Sequence, residues 1–89
     1  MYKLEYSNKA RKDLEFHKKS GNKPIVNKIM DLLAEIQKHP RSGTGKPEQL
    51  KHDLAGKWSR RINQEHRLIY TIEDRRVIVE VISAKGHYE

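Results

Sequence analysis

The chain has 89 residues, no cysteine, and 19 Lys plus Arg against 12 Asp plus Glu, a formal charge of +7. This length suits one domain over residues 1–89, and the missing cysteines exclude disulfide scaffolds, thiolate zinc sites and cysteine nucleophiles. The longest apolar run, Val77-Ile78-Val79, is far short of the roughly 20 residues of a membrane span, so a cytoplasmic protein with anionic partners is expected.

The first element is a strand: Tyr2, Leu4 and Tyr6 alternate with Lys3 and Glu5. Ser7 or Asn8 can cap the helix that follows. Its apolar face holds Ala10, Leu14 and His17, with Phe16 alongside, and Lys18, Lys19 and Gly21 supply the end signals. A second helix is written by Ile25, Ile29, Leu32, Leu33 and Ile36, with Val26 and Met30 widening the stripe. Pro24 suits its first turn and His39-Pro40 ends it, while Lys28, Asp31, Glu35 and Lys38 mark the polar face.

Residues 40–56 read as a long loop broken by Pro40, Ser42, Gly43, Gly45, Pro47 and Gly56, and a loop this long invites a functional reading. Pro47 could open a short helical turn over Glu48–Leu54. Gly43-Thr44-Gly45-Lys46 has the outline of a phosphate loop but lacks its first glycine and its closing Ser or Thr. The remainder reads as strands over Lys57–Ile62, Arg67–Ile72 and Val77–Ala84, with short links that favour antiparallel hairpins. The third is apolar on both faces apart from Glu80, as an inner strand should be. The expected fold is α+β in the order strand–helix–helix–three strands: a small, antiparallel, twisted sheet with both helices on one face.

Alternation places Trp58, Leu68 and Tyr70 toward the helices and Arg61 and Arg67 on the uncovered face. Two arginines paired across a ladder repel unless an anion lies between them, and guanidinium forks match phosphate oxygens. Residues 41–67 hold seven Lys or Arg against Glu48, Asp53 and Glu65, so the positive charge is concentrated there. Lys46, Lys51, Arg60, Arg61 and Arg67 therefore form a candidate backbone-tracking surface. Arg60 alternates onto the core side, which a bulge, a snorkelling stem or a sheet-edge position has to explain. The five histidines show no metal-ligating spacing, and neither metal nor cofactor is expected. On the residues alone, a phosphodiester-binding surface, a non-catalytic RNA- or ribosome-binding module and a structural partner all remain open.

Four motifs in order narrow the choice: Gly45-Lys46-Pro47-Glu48-Gln49-Leu50-Lys51, Gly56-Lys57-Trp58-Ser59-Arg60-Arg61-Ile62, Glu65-His66-Arg67-Leu68-Ile69-Tyr70 and Gly86-His87-Tyr88. Together they resemble the YoeB/Txe branch of the RelE-type toxins, in the RelE/ParE superfamily. The resemblance implies a RelE-like microbial-RNase fold and the toxin component of a bacterial type II toxin–antitoxin pair. It further implies a ribosome-dependent mRNA endoribonuclease that works without metal. Its partners would be a cognate YefM/Axe-like antitoxin, the ribosome, mRNA and a second copy of the chain. By resemblance Glu48 matches the general base, Arg67 the phosphate-stabilising arginine, His87 the general acid and Tyr88 the adjoining aromatic. Lys51 and Arg61 match basic positions that hold phosphate or ribosomal RNA.

Overall fold

Local capping chemistry sets where the elements begin. The computed structural model describes residues 1–86, so the expectations for His87 and Tyr88 fall outside the described residues. After β1 (Lys3–Tyr6), the Ser7 hydroxyl accepts the Ala10 N–H and starts α1 (Asn8–Lys19). The Asn22 side chain accepts the Ile25 N–H in the same way and starts α2 (Lys23–Lys38), with Pro24 in its first turn. Then follow β2 (Glu48–Gln49), a 3₁₀ turn (His52–Leu54), β3 (Lys57–Arg61), β4 (Arg67–Glu73) and β5 (Ile78–Ser83).

Among the described residues these strands form one five-stranded sheet in the order β1-β5-β4-β3-β2. Its pairings are antiparallel except for β1 and β5, which run parallel with Lys3 opposite Ile78 and Tyr6 opposite Val81. The expected all-antiparallel sheet is thus mixed, and the helical pair between β1 and the hairpins provides the long return that a parallel neighbour needs. β5 is an interior strand, as its two apolar faces imply. The helical turn expected over Glu48–Leu54 is divided: Glu48 and Gln49 extend as an edge strand, and only His52–Leu54 coil.

The core lies between the helices and one sheet face. Ala10 of α1 and Ile29, Leu32, Leu33 and Ile36 of α2 pack with Leu68, Tyr70, Val79 and Val81 of the sheet. Full burial of such a side chain contributes about 1.5–3 kcal/mol, which makes this layer the main source of cohesion. Met30, expected to widen the apolar stripe, remains 43% exposed. No helix among the described residues is long and apolar enough to cross a membrane.

A bulge shapes the end of β5. Tyr70 pairs with Val81 but Ile69 pairs with Ser83, so Ile82 is the extra residue. Ser7 braces it, donating its N–H to Val81 O at 2.9 Å and its hydroxyl to Ile82 O at 2.6 Å. The strand bends there, and Ala84–Gly86 run back toward the β3–β4 hairpin.

Candidate functional site

Cross-strand register assembles a row of charge on the face turned away from the helices. Glu48 of β2 pairs with Ser59 of β3, Ser59 with Ile69 of β4, and Ile69 with Ser83 of β5. One step along the same face, Arg61 of β3 pairs directly with Arg67 of β4. Glu48 and Arg61 are therefore diagonal neighbours, a separation of about 7–8 Å that long side chains span. Ser59, Ile69 and Leu50 are buried on this side, whereas Glu48 and Arg61 are exposed and Arg67 is half-buried.

The loop before β2 adds more positive charge. Gly45 lies against β3, where its carbonyl accepts the Arg61 N–H at 2.7 Å. A Cβ at Gly45 would meet Arg61 O at 2.9 Å, and its φ of +84° suits glycine alone, so this close approach requires glycine. It sets Lys46 beside Arg61. Lys46, Arg61 and Arg67 then line a concavity of about 480 Å³ together with Lys28, Asn63 and Gln64. A second concavity, of about 540 Å³, is bounded by Glu48–Leu54 and includes Lys51. Three of the four cations expected to bind phosphate, Lys46, Lys51 and Arg61, are thus exposed around Glu48 and Arg67.

The fourth, Arg60, is a correction. It is fully buried, and all five of its N–H donors are used inside the protein. Nε donates to Tyr70 Oη at 3.1 Å, Nη1 to Glu35 Oε1 at 2.6 Å and to Thr44 O at 3.2 Å, and Nη2 to His39 O at 2.6 Å and Ser42 O at 2.8 Å. Alternation forces Arg60 onto the helix side, and α2 with the following loop wraps its head in acceptors. No donor is left for RNA. Thr44 completes the wrapping by donating its backbone N–H and its hydroxyl to Glu35. These donors, led by the Thr44 amide, hold the Glu35 carboxyl below its ordinary value against the opposing effect of burial. The glycine-rich stretch that looked like a phosphate loop thus cradles an internal carboxylate.

Arg67 is positioned from both sides of its hairpin. Asn63 Oδ1 accepts the N–H groups of Glu65 and His66 and so sets the turn. Arg67 Nη1 donates to Asn63 O at 2.8 Å and His66 O at 3.1 Å. Among the described residues Nη1 is the guanidinium nitrogen with partners, leaving the Nε–Nη2 edge for a ligand.

The chain leaving β5 is held at four points. Ala84 N–H donates to Asp13 Oδ2 at 2.9 Å, and Ala84 O lies 2.7 Å from His17 Nε2. Gly86 N–H donates to His66 Nδ1 at 2.9 Å, and Gly86 O accepts the Arg67 N–H at 3.0 Å. Sequence reasoning missed this role for Asp13, His17 and His66. It also missed Lys28, which was read as a polar-face residue of α2. Neither has a local signal, because each depends on which element packs beside it.

The sequence and the fold have counterparts among known proteins. Residues 6–88 match the model of a family described as the YoeB-like toxin of bacterial type II toxin–antitoxin systems. A protein named Toxin YoeB from a Synechocystis species is 48% identical over 69 residues, covering 78% of each chain. A solved structure of a YoeB/ParE toxin from Agrobacterium tumefaciens superposes with a TM-score of 0.91 at 41% identity, covering 97% of this chain and 99% of that one. In a heterotetrameric YoeB–YefM toxin–antitoxin complex from Staphylococcus aureus, a chain superposes with a TM-score of 0.84 at 39% identity, with 99% of each covered.

Proposed function

The chain belongs to the YoeB-like toxins of bacterial type II toxin–antitoxin systems, and on that premise we propose that it is an endoribonuclease that cuts messenger RNA on the ribosome. The observation that carries this reading is the Arg61–Arg67 cross-strand pair, with Lys46 beside it and the Glu48 carboxylate one diagonal away. Cations opposed in this way are relieved by an anion between them, and a phosphodiester supplies one.

The chemistry needs no group beyond those of the chain. Glu48 takes the proton from a ribose 2′-hydroxyl, and the 2′-oxygen attacks the adjacent phosphorus. Arg67 neutralises the charge that grows on the equatorial oxygens of the phosphorane. The bond from phosphorus to the 5′-oxygen then breaks, and His87 donates the proton that this leaving oxygen requires. The products are a 2′,3′-cyclic phosphate and a 5′-hydroxyl. Lys46, Lys51 and Arg61 hold neighbouring phosphates, and Tyr88 offers a ring on which an unstacked base rests. A YefM-like antitoxin with an acidic segment would neutralise the same basic face, which fits the charge of +7.

The test adds purified protein to programmed ribosomes and maps the cleavage ends. Wild type should cut within the decoding site, whereas Glu48→Ala, Arg67→Ala and His87→Gln should bind ribosomes and leave the message intact. Equal cleavage by all four proteins would overturn the assignment.

A further inference from the structure

We propose that Asp13, His17 and His66 are positioning residues that hold the backbone from which His87 and Tyr88 depart, and so set where the acid sits relative to Arg67. The inference rests on the reading of His87 as the general acid. None of the three is assigned to contact RNA; each acts through the main chain of Ala84–Gly86.

The hold is dense for so short a segment. Ala84 is engaged at both its N–H and its carbonyl by Asp13 and His17, which are one turn apart on α1. Both sit at core positions of that helix, 6% and 1% exposed. Polar groups placed there are costly unless bonded: His17 is bonded to the backbone leaving β5, and Asp13 Oδ2 accepts from that backbone and from Lys9 Nζ at 2.7 Å. Gly86 is engaged at both groups too, by the His66 ring and by the Arg67 N–H. The rings of His17 and His66 meet edge to face with centroids 4.8 Å apart, which joins the two holds into one support.

Hydrogen-bond polarity fixes one nitrogen of each ring. A carbonyl only accepts, so His17 carries a proton on Nε2. An amide N–H only donates, so His66 Nδ1 accepts and carries no proton. His66 also presents its carbonyl to Arg67 Nη1, so the phosphate-stabilising guanidinium and the backbone leading to His87 share one residue as their support. A displacement of about 1 Å at a reacting group can cost about 100-fold in rate, so loosening this support should reduce turnover while leaving binding intact.

The experiment compares wild type, His66→Leu and His66→Asn, because the Asn Oδ1 can replace the Nδ1 acceptor whereas Leu has none. Single-turnover cleavage on programmed ribosomes should fall about 10- to 100-fold for His66→Leu, with ribosome affinity within about two-fold of wild type. His66→Asn should recover most of that loss. In the free protein, hydrogen exchange of the Gly86 amide, followed by NMR, should accelerate in His66→Leu and be restored in His66→Asn. Wild-type cleavage rates in His66→Leu, equal losses in both variants, or an unchanged Gly86 amide would each overturn the inference. If wild type itself cuts no RNA while the Gly86 amide still responds to His66, the anchoring stands and the nuclease reading falls.

Discussion

The main-chain N–H of Arg67 donates to the carbonyl of Gly86 at 3.0 Å, so the residue assigned to the phosphorane is bonded directly to the residue that precedes His87. The Gly86 bond belongs to the backbone of Arg67, whereas the side chain proposed to act on phosphate also braces the hairpin carbonyls of Asn63 and His66, so a mutation of the side chain spares the first contact and loses the second. Arg67→Ala should keep the Gly86 bond and the folded state yet lower single-turnover cleavage by about 100- to 1,000-fold, the loss typical of one transition-state donor. Arg67→Lys should recover little, because an ammonium cannot form the bidentate fork. Rates measured beside thermal melts will show whether activity falls without stability.

Adjacent arginines should behave oppositely. Arg60→Met leaves Glu35, Tyr70 and three loop carbonyls without their shared donor, and leaving such groups unsatisfied around a buried position costs about 1–3 kcal/mol. Arg61→Ala removes an exposed side chain and should change stability by less than about 0.5 kcal/mol. It should instead weaken RNA binding and lower the salt dependence by about one phosphate contact. Urea melts and salt titrations of both variants test the contrast.

Gly45→Ala should cost about 1–3 kcal/mol, through the left-handed backbone and the approach to Arg61 O. Because the same loop places Lys46, RNA affinity should fall as well. Chemical denaturation and RNA titration of this one variant should show both losses, while Gly21→Ala, which meets nothing within 4 Å, should show only the backbone cost.

Acid should loosen the wrapped loop before it unfolds the chain. The Glu35 carboxyl is held below its ordinary value, first by the Thr44 amide and then by the Thr44 hydroxyl and Arg60. Asp74 is likewise lowered, by Arg41 and then by the Tyr2 hydroxyl. A depressed carboxyl contributes stability that is complete above its unfolded value and is lost as pH falls through the folded one. Stability should therefore decline below about pH 4.5, the ordinary value for Glu35, and Glu35→Gln should flatten that decline. Denaturation midpoints from pH 3 to 7, on the order of a unit apart, would show it.

Side-chain alternation was enough to place Arg61 and Arg67 together, because a period of two assigns each residue to a face and a short hairpin sets the register. It also put Arg60 on the core side. What it could not supply was the receptor for that guanidinium, since Glu35, His39, Ser42 and Thr44 converge from α2 and the loop only after folding. β2 escaped notice because two residues are too few to show a period. The parallel neighbour of β1 was hidden for another reason: hydrophobic alternation specifies a face, not the strand beside it. The motifs around Glu48, Arg67 and His87 were visible through family resemblance, whereas the hold on Ala84 depends on a helix far away in the chain.

Pairing Lys3 with Ile78 also dictates when this protein can first exist as a folded object. β5 lies inside the sheet between β1 and β4, so β1 can join the β2–β3–β4 strands only once residues 78–83 are made. Such distant pairing must meet its loop-closure cost before any contact rewards it, which makes assembly slow and late. A nascent chain stopped short of β5 has neither a closed sheet nor the segment that Asp13 and His17 grip. The topology thus acts as a timer, withholding the joined five-stranded sheet until residues 78–83 have been synthesised.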